Sequence, residues 1–167
     1  MDIVIGVSAS GMTQFVRGAL TIARKVGARI IFVTCDPGTE LQTFVDLTIA
    51  PGVGAEVIAG STRLKAGTAT KLVLNMLTTG AMIRIGKTWG NLMVDLKATN
   101  LKLKDRSERI LVESCHVSRE DARALLDSAG GSVKVAIVMH RAKVGRDEAL
   151  RRISEAGGLF RRVVGDP

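Results

Sequence analysis

A run of small hydroxyl residues follows directly after an apolar segment near the start of the sequence. Ile3–Val7 is continuously apolar, and Ser8, Ser10, Gly11 and Thr13 come immediately after it. A helix is predicted to begin at Thr13, where the first backbone N–H groups have no intrahelical partner. Gly11 allows the backbone to come close to a ligand, and the hydroxyls can donate hydrogen bonds to a charged oxygen. The pattern favours an anion site, and a phosphate fits it best.

A purely structural role is the alternative for this loop, because Ser10 or Thr13 can cap the helix. The sequence has neither the GK[ST] ending of a Walker loop nor a GxGxxG fingerprint here, so a nucleotide or dinucleotide is disfavoured. Spacing alone leaves capping and anion binding open.

A second hydroxyl pair stands at another predicted helix start. Ser61 and Thr62 follow a glycine, Lys65 lies one turn further, and Glu56 lies just upstream. Hydroxyls and a lysine at a helix start suit a phosphate or a sugar hydroxyl. The alternative is an ordinary cap followed by a hydrated basic turn. Glu56 is a weak candidate for a general base, and hydration is the commoner fate of a loop carboxylate.

The elements that carry these loops predict an α/β fold with a parallel sheet. Continuous apolar runs are typical of strands covered on both faces. The predicted strands are Ile3–Val7, Ala28–Thr34 and Leu47–Ala50, and the predicted helices are Thr13–Val26, Glu40–Val45 and a long one from Thr62 to Gly86. The second half of the long helix is apolar nearly all round, which indicates burial by its own domain on one side and by another subunit on the other.

The character of the sequence changes after about residue 100. Leu101–Ser114 is amphipathic, Ser118 resembles a helix cap, and the last clear helix lies in GRDEALRRISEAGG. The segment beginning at Ser132 fits a strand or a helix, and we expect a helix because its neighbours are helical. We therefore expect two domains: an α/β part at residues 1–103, then a small all-helical module at residues 104–167.

Composition excludes several classes of site. Cys35 and Cys115 match no metal or redox spacing, so we expect no metal site and free thiols in a reducing cytoplasm. The net charge is +8, but the basic residues alternate with acidic ones and aromatics are only 3%, so nucleic-acid binding is not expected. No apolar run reaches membrane-spanning length. His116, His140 and Trp89 are expected to pack or to lie at the surface.

Three stretches carry a recognisable family pattern: IGVSASGMTQFVRGAL, the run from Gly54 to Arg106, and SREDARALLDSAGGSVKVAIVM. They resemble the N-acetylmuramic acid 6-phosphate etherase family, which has a sugar isomerase (SIS) domain and is related to the glucokinase regulatory protein. The similarity extends over essentially the whole chain. It implies a cytoplasmic, dimeric carbon–oxygen lyase of peptidoglycan recycling, which converts a phosphorylated amino sugar to N-acetylglucosamine 6-phosphate and D-lactate without a cofactor.

The resemblance also implies roles for individual residues. It assigns the first loop to sugar-phosphate binding and the second to a signature before the long helix. The residues concerned are Ser8, Ser10, Gly11 and Thr13 in the first loop, and Glu56, Ser61, Thr62 and Lys65 in the second. The resemblance makes residues 1–103 the C-terminal half of a SIS-like sugar-phosphate domain. The end of the chain, residues 104–167, resembles the family's ubiquitin-associated-like helical module.

The sequence departs from the family pattern in one large respect and two small ones. The earlier half of a full member carries a Gly-Ala-Gly-Thr-Ser-Gly-Arg loop and two catalytic glutamates, and neither occurs here. Met12 stands where Arg is usual, and Gln14 where Pro is usual. We therefore expect little activity from this chain alone, and an N-terminal segment or partner chain that supplies acid and base. A non-catalytic regulatory module that binds a phosphosugar, or a truncated product without function, is the alternative.

Overall fold

The protein is described from a computed structural model that covers residues 2–166. The chain divides into two compact units, Met1–Leu77 and Thr78–Pro167. Each unit has its own cluster of buried apolar side chains. The predicted domain boundary between residues 103 and 104 stays a prediction.

A three-stranded parallel sheet forms the first unit, with strands in the order β1-β2-β3. This confirms the α/β class and the predicted parallel pairing of the first two strands. Helices flank the sheet, and the predicted short helix is a 3₁₀ helix. The elements are β1 (Ile3–Val7), α1 (Gln14–Lys25), β2 (Arg29–Val33), the 3₁₀ helix (Glu40–Phe44) and β3 (Leu47–Ile49).

The helix α1 packs closely on β1 and β2. Its buried residue Leu20 joins Ile30 and Phe32 of β2 in the core of this unit. A Cβ added at Gly6 would lie 2.8 Å from Leu20 Cδ1, so only glycine lets β1 approach the helix this closely. The core is aliphatic apart from Phe32, as the composition suggests.

The prediction that β1 is covered on both faces is wrong for the described residues. Ile3, Ile5 and Val7 are 60%, 43% and 38% exposed. Side chains alternate between the faces of a strand, and Gly6, of opposite parity, is the residue that faces α1. The three exposed side chains therefore belong to the other face of the sheet, which the described residues leave largely open.

The long helix α2 spans Lys65–Arg84 and contains the division between the two units. It begins three residues after the predicted start, because residues 62–64 form a turn. Only Ala66 and Val73 are buried in it, whereas Met76 is 66% exposed. Cover of this helix by another subunit stays a prediction.

The second unit is mainly helical. Its helices confirm the predicted ones, while the antiparallel hairpin β4–β5 and the short α7 were not anticipated. The elements are β4 (Thr88–Trp89), β5 (Leu92–Met93), α3 (Leu101–Cys115), α4 (Arg119–Ser128), α5 (Val133–Ala142), α6 (Arg146–Glu155) and α7 (Arg161–Val164).

Local caps explain where these helices begin. The side chain of Ser118 accepts a hydrogen bond from Asp121 N–H, and that of Ser132 accepts one from Val135 N–H. The cap at Ser132 settles the ambiguous segment as a helix, and Val133, Ala136 and Ile137 of α5 are fully buried. Within residues 2–166, we find no helix with the length and apolar character needed to cross a bilayer.

Candidate functional site

The Ser8–Thr13 loop lies at the carboxyl end of β1. Ser8 N–H donates to Val33 O at 3.0 Å, and Cys35 N–H donates to Ala9 O at 3.0 Å. These bonds continue the pairing of β1 with β2 beyond the strands themselves. The loop is therefore held at the edge of a parallel sheet where ligands commonly bind.

Hydrogen bonds within the loop organise its hydroxyl groups. Ser8 Oγ lies 2.8 Å from Thr13 Oγ1, and Ser8 is only 6% exposed. Gly11 N–H donates to Ser8 O at 3.0 Å, which closes a turn. Met12 N–H donates to Ser10 Oγ over 3.4 Å. The four predicted residues of this loop thus lie together, with Ser8 engaged inside the loop and Thr13 exposed.

The start of α1 is not capped by the residue at its N-cap position. Thr13 occupies that position, but its side chain makes no capping hydrogen bond, and its hydroxyl contacts Ser8 instead. Arg17 N–H donates to Thr13 O at 3.1 Å as the first bond of the helix. The Thr13 side chain therefore leaves the first-turn N–H groups open to water or to an anion.

A cavity of about 410 Å³ adjoins this loop. Its lining includes Gly11, Met12 and Arg17 on the loop and α1, and Asp36 and Thr39 on the segment after β2. Sequence reasoning missed Arg17, Asp36 and Thr39 because their proximity to the loop depends on how β2 and α1 pack. The signal that could have found them is position in the sequence: Asp36 and Thr39 follow the end of a strand, and Arg17 lies one helical turn after the loop.

Glu56 caps α2 and so occupies the second predicted anion site. Ala66 N–H donates to Glu56 Oε1 and Lys65 N–H donates to Glu56 Oε2, each at 3.0 Å. These bonds, that from Ala66 first, lower the pKa of the Glu56 carboxyl, and the nearby Lys65 charge lowers it further. An ionised carboxylate held at a helix start is a weak base. The backbone at Lys65 is therefore not free for a phosphate, which leaves its exposed ammonium.

Ser61 and Thr62 lie in the turn that precedes α2. Ser61 N–H donates to Ile58 O at 3.1 Å, and both residues line an open cavity of about 480 Å³ together with Arg63. Neither residue is the cap that the sequence suggested, because the Glu56 carboxylate accepts the hydrogen bonds from the first N–H groups of α2. Their role in binding stays a prediction.

Cys35 links the first loop to the start of α2 within the first unit. Its backbone N–H contacts the first loop at Ala9, and its Sγ lies 3.6 Å from Ala66 O at the start of α2. Thr70 Oγ1 lies 3.7 Å from the same sulfur. Cys35 therefore links the first loop to the first turns of α2, whereas the cavities beside Gly11 and Ser61 share no lining residue.

The other residues considered from the sequence lie in the second unit. Trp89 is 3% exposed, its Nε1–H donates to Gly165 O at 2.9 Å, and it packs edge-on against Phe160, which confirms a packing role. His116 is the left-handed C-cap of α3, and His140 lies in the last turn of α5. Within residues 2–166, no group of three or more His, Cys, Asp and Glu side chains is arranged to hold a metal ion.

Comparison with known proteins identifies close relatives. A scan against protein-family models finds no match. Curated proteins called N-acetylmuramic acid 6-phosphate etherase do match: that of Photobacterium profundum is 47% identical over 163 residues, covering 98% of this chain and 54% of the relative. The protein of Rhodopirellula baltica is 48% identical over 166 residues (99% and 55%). That of Rubrobacter xylanophilus is 51% identical over 165 residues (99% and 54%).

The extent of the match matters as much as its strength. The chain spans about half the length of the curated relatives it matches, while the match leaves almost none of the chain itself uncovered. The residues on both sides of each loop described above fall within it. With close to every second residue identical along its whole length, the chain belongs to the N-acetylmuramic acid 6-phosphate etherase family and corresponds to the C-terminal half of its members.

Proposed function

We propose that this chain is the sugar-phosphate-binding half of an N-acetylmuramic acid 6-phosphate etherase. The observation that carries the proposal is identity of 47–51% to proteins of that name over 98–99% of the chain. The ligand would be a phosphorylated amino sugar. The fold would be part of a SIS-type domain, and the setting would be the cytoplasmic recycling of peptidoglycan.

The first loop supports binding of the ligand's phosphate. Ser10 and Thr13 carry hydroxyls that can donate to phosphate oxygens, and the start of α1 presents N–H groups that Thr13 does not cap. The positive end of the helix dipole adds to the attraction for an anion. Ser8 and Gly11 fix the loop in this conformation. Lys65 does not line the cavity beside this loop, so its ammonium would contact another part of the ligand.

The reaction would be cleavage of the D-lactyl ether by elimination, followed by addition of water. Cleavage of an ether at an unactivated carbon needs a placed acid and a placed base. Glu56, the candidate base of the sequence, is tied to two backbone N–H groups with its pKa lowered. We therefore infer that acid and base come from the half of the family's length that this chain does not span, on the same or a partner chain.

Assembly with another polypeptide is part of the proposal. The open sheet face at Ile3, Ile5 and Val7 and the exposed apolar residues of α2 are surfaces that a homodimer, or a chain with the family's other half, would cover. β1 also lies at an edge of the three-stranded sheet, which leaves one side of its backbone available for pairing.

A non-catalytic, phosphosugar-binding regulatory module is the second candidate. The observation that favours it is again Glu56, because the carboxylate of this residue is committed to capping α2. Such a module would bind the same sugar phosphate and release no product.

The test has two parts, both with the full chain. Incubation with N-acetylmuramic acid 6-phosphate followed by a D-lactate assay separates an active lyase from a binding module. Calorimetric titration with N-acetylglucosamine 6-phosphate, with the unphosphorylated sugar as control, then tests binding. We expect binding with little or no D-lactate release, and Ser10→Ala and Lys65→Ala should each weaken binding. Equal heats for both sugars would reject the proposal.

A further inference from the structure

The cavity beside the first loop has an unusual balance of charge. Of the described residues that line it, Arg17 alone carries a positive charge, while Asp36 and Glu40 are negative. Met12, at the tip of the loop, is 75% exposed and has no N–H or O–H on its side chain. A phosphate in this cavity would therefore depend on one guanidinium for charge neutralisation.

Arg17 is held at its backbone and free to move at its tip. Its N–H donates to Thr13 O at 3.1 Å, which fixes the residue one helical turn beyond the loop. The guanidinium lies 3.6 Å from Glu40 Oε2, and the two side chains are 53% and 90% exposed. An exposed ion pair of this length holds its partners weakly, so a ligand can exchange for Glu40.

The surroundings of this ion pair give the guanidinium room to turn. Arg17, Glu40 and Leu41 line the 410 Å³ cavity and also a second cavity of about 370 Å³. A side chain at this position can change its partner without any movement of α1. A guanidinium also matches the geometry of phosphate oxygens through two parallel hydrogen bonds, and a dianionic phosphate competes well with a single carboxylate.

The negative residues of the cavity have a different use. Asp36 Oδ1 accepts a hydrogen bond from Gly38 N–H at 2.9 Å, which stabilises the turn. The carboxylate can accept further hydrogen bonds, because its two oxygens have about four acceptor sites. Sugar hydroxyls can donate such hydrogen bonds. A cavity with one cation and two carboxylates suits a ligand that carries both a phosphate and hydroxyl groups.

We propose that Arg17 supplies the positive charge that binds the ligand's phosphate in the cavity beside the Ser8–Thr13 loop, by exchanging Glu40 for the phosphate. The inference rests on the proposed sugar-phosphate binding and names the residue on which it depends. Because Met12 lines the same cavity, an arginine placed there should be able to take over the role.

The test is calorimetric titration of the full chain with N-acetylglucosamine 6-phosphate. Arg17→Met should lower the affinity about tenfold, as expected for the loss of one charge-assisted contact in a half-exposed site. Lys25→Met, which removes the same charge from the exposed last turn of α1, should leave the affinity unchanged. Glu40→Gln should raise it about twofold, because the competing carboxylate is gone.

A double variant separates loss of charge from damage to the fold. Met12→Arg combined with Arg17→Met should restore most of the affinity, and circular dichroism should show each variant folded. If Arg17→Met binds as tightly as the unaltered chain, or if the double variant stays as weak as Arg17→Met, the role of Arg17 is wrong while sugar-phosphate binding stands. If the unaltered chain binds no sugar phosphate, both proposals are wrong.

Discussion

The hydroxyl of Thr39 donates a hydrogen bond to the carbonyl oxygen of Gly11 over 3.0 Å, although 28 positions separate the two residues in the chain. Thr39 is 8% exposed, and its Oγ1 also accepts from Leu41 N–H at the start of the 3₁₀ helix. One side chain thereby ties the first loop to the segment after β2. The contact fixes the shape of the cavity wall where these two segments meet.

Gly11→Ala should disrupt this contact. The backbone of Gly11 has φ of +70°, and an added Cβ would lie 2.6 Å from Thr39 Cβ and Oγ1. We expect destabilisation of about 1–3 kcal/mol from the strained backbone, before any cost of the clash. Thermal unfolding measures it. The matched control is Gly18→Ala in the exposed middle of α1, where an added Cβ meets nothing within 4 Å. That change should stabilise the chain by about 0.5–1 kcal/mol, and equal effects of the two variants would contradict the assignment.

Replacement of Glu56 should weaken the start of α2. Glu56→Ala removes both hydrogen-bond acceptors from Lys65 N–H and Ala66 N–H, so the Tm at pH 7 should fall by about 3 °C. The folded-state pKa is lowered from 4.5, so the stabilisation is present above that value and is lost as pH falls through the lowered pKa. The Tm difference should therefore vanish in acid. Glu113→Ala, on the exposed surface of α3, is the control. If Glu56→Ala lowers the Tm no more than Glu113→Ala does, Glu56 does not act as a cap.

The ion-pair network of Glu108 should make the helical unit sensitive to acid. Glu108 accepts from Arg119 Nε at 2.9 Å and from Arg123 Nε at 3.0 Å, which joins α3 to α4. The hydrogen bond from Arg123 and then that from Arg119 lower the pKa of Glu108 from 4.5. Its contribution is thus complete above pH 4.5 and disappears as pH falls through the lowered pKa. Glu108→Gln should lower the Tm at pH 7 and leave it unchanged near pH 2. A Tm loss that persists at pH 2 would contradict the ionic explanation.

Lys134 should be needed for the stability of the second unit. It is 8% exposed, and its Nζ donates to Gly86 O at 3.2 Å and to Gly158 O at 2.6 Å. Lys134→Met would leave both carbonyls without this donor, and we expect a loss of about 2 kcal/mol in urea unfolding. Lys104→Met, at an exposed position, is the control. If Lys134→Met lowers the free energy of unfolding no more than Lys104→Met does, the two hydrogen bonds contribute nothing to stability.

The same lysine predicts a rise of stability with pH. Burial lowers the pKa of Lys134 from 10.5 in the folded state. Between the lowered value and 10.5 the unfolded chain binds more protons, so the free energy of unfolding should increase with pH in that window. Lys134→Met should lack this increase. An identical pH dependence in both proteins would contradict the assignment.

The sequence predicted the elements and loops whose signals are local. The first loop lies where a continuous apolar run meets small hydroxyl residues, and Ser118 and Ser132 cap helices as their residue types suggest. The capping role of Glu56 was harder to predict, because it depends on how residues 57–64 bring Glu56 to the start of α2. The contacts of Thr39 with Gly11 and of Cys35 with Ala66 join segments distant in the chain, and no residue pattern encodes them.

The exposure of β1 could not be predicted for another physical reason. An apolar run indicates that a segment is buried in the complete fold, but it does not indicate which element or chain buries it. Ile3, Ile5 and Val7 carry the signature of a doubly covered strand, yet the described residues cover one face only. Likewise, the uncapped start of α1 follows from the Ser8–Thr13 contact, since Thr13 by its type alone would cap the helix.

The open face of β1 has a consequence for the life of the chain in a cell. Chaperones and proteases recognise misfolded proteins by apolar side chains on accessible strands, and a properly folded copy of this chain displays Ile3, Ile5 and Val7 in just that form. As long as no other polypeptide segment covers this face, quality control would treat the folded chain as it treats a folding intermediate. Its abundance would then be set by how fast that face finds a covering surface, more than by how fast the chain folds.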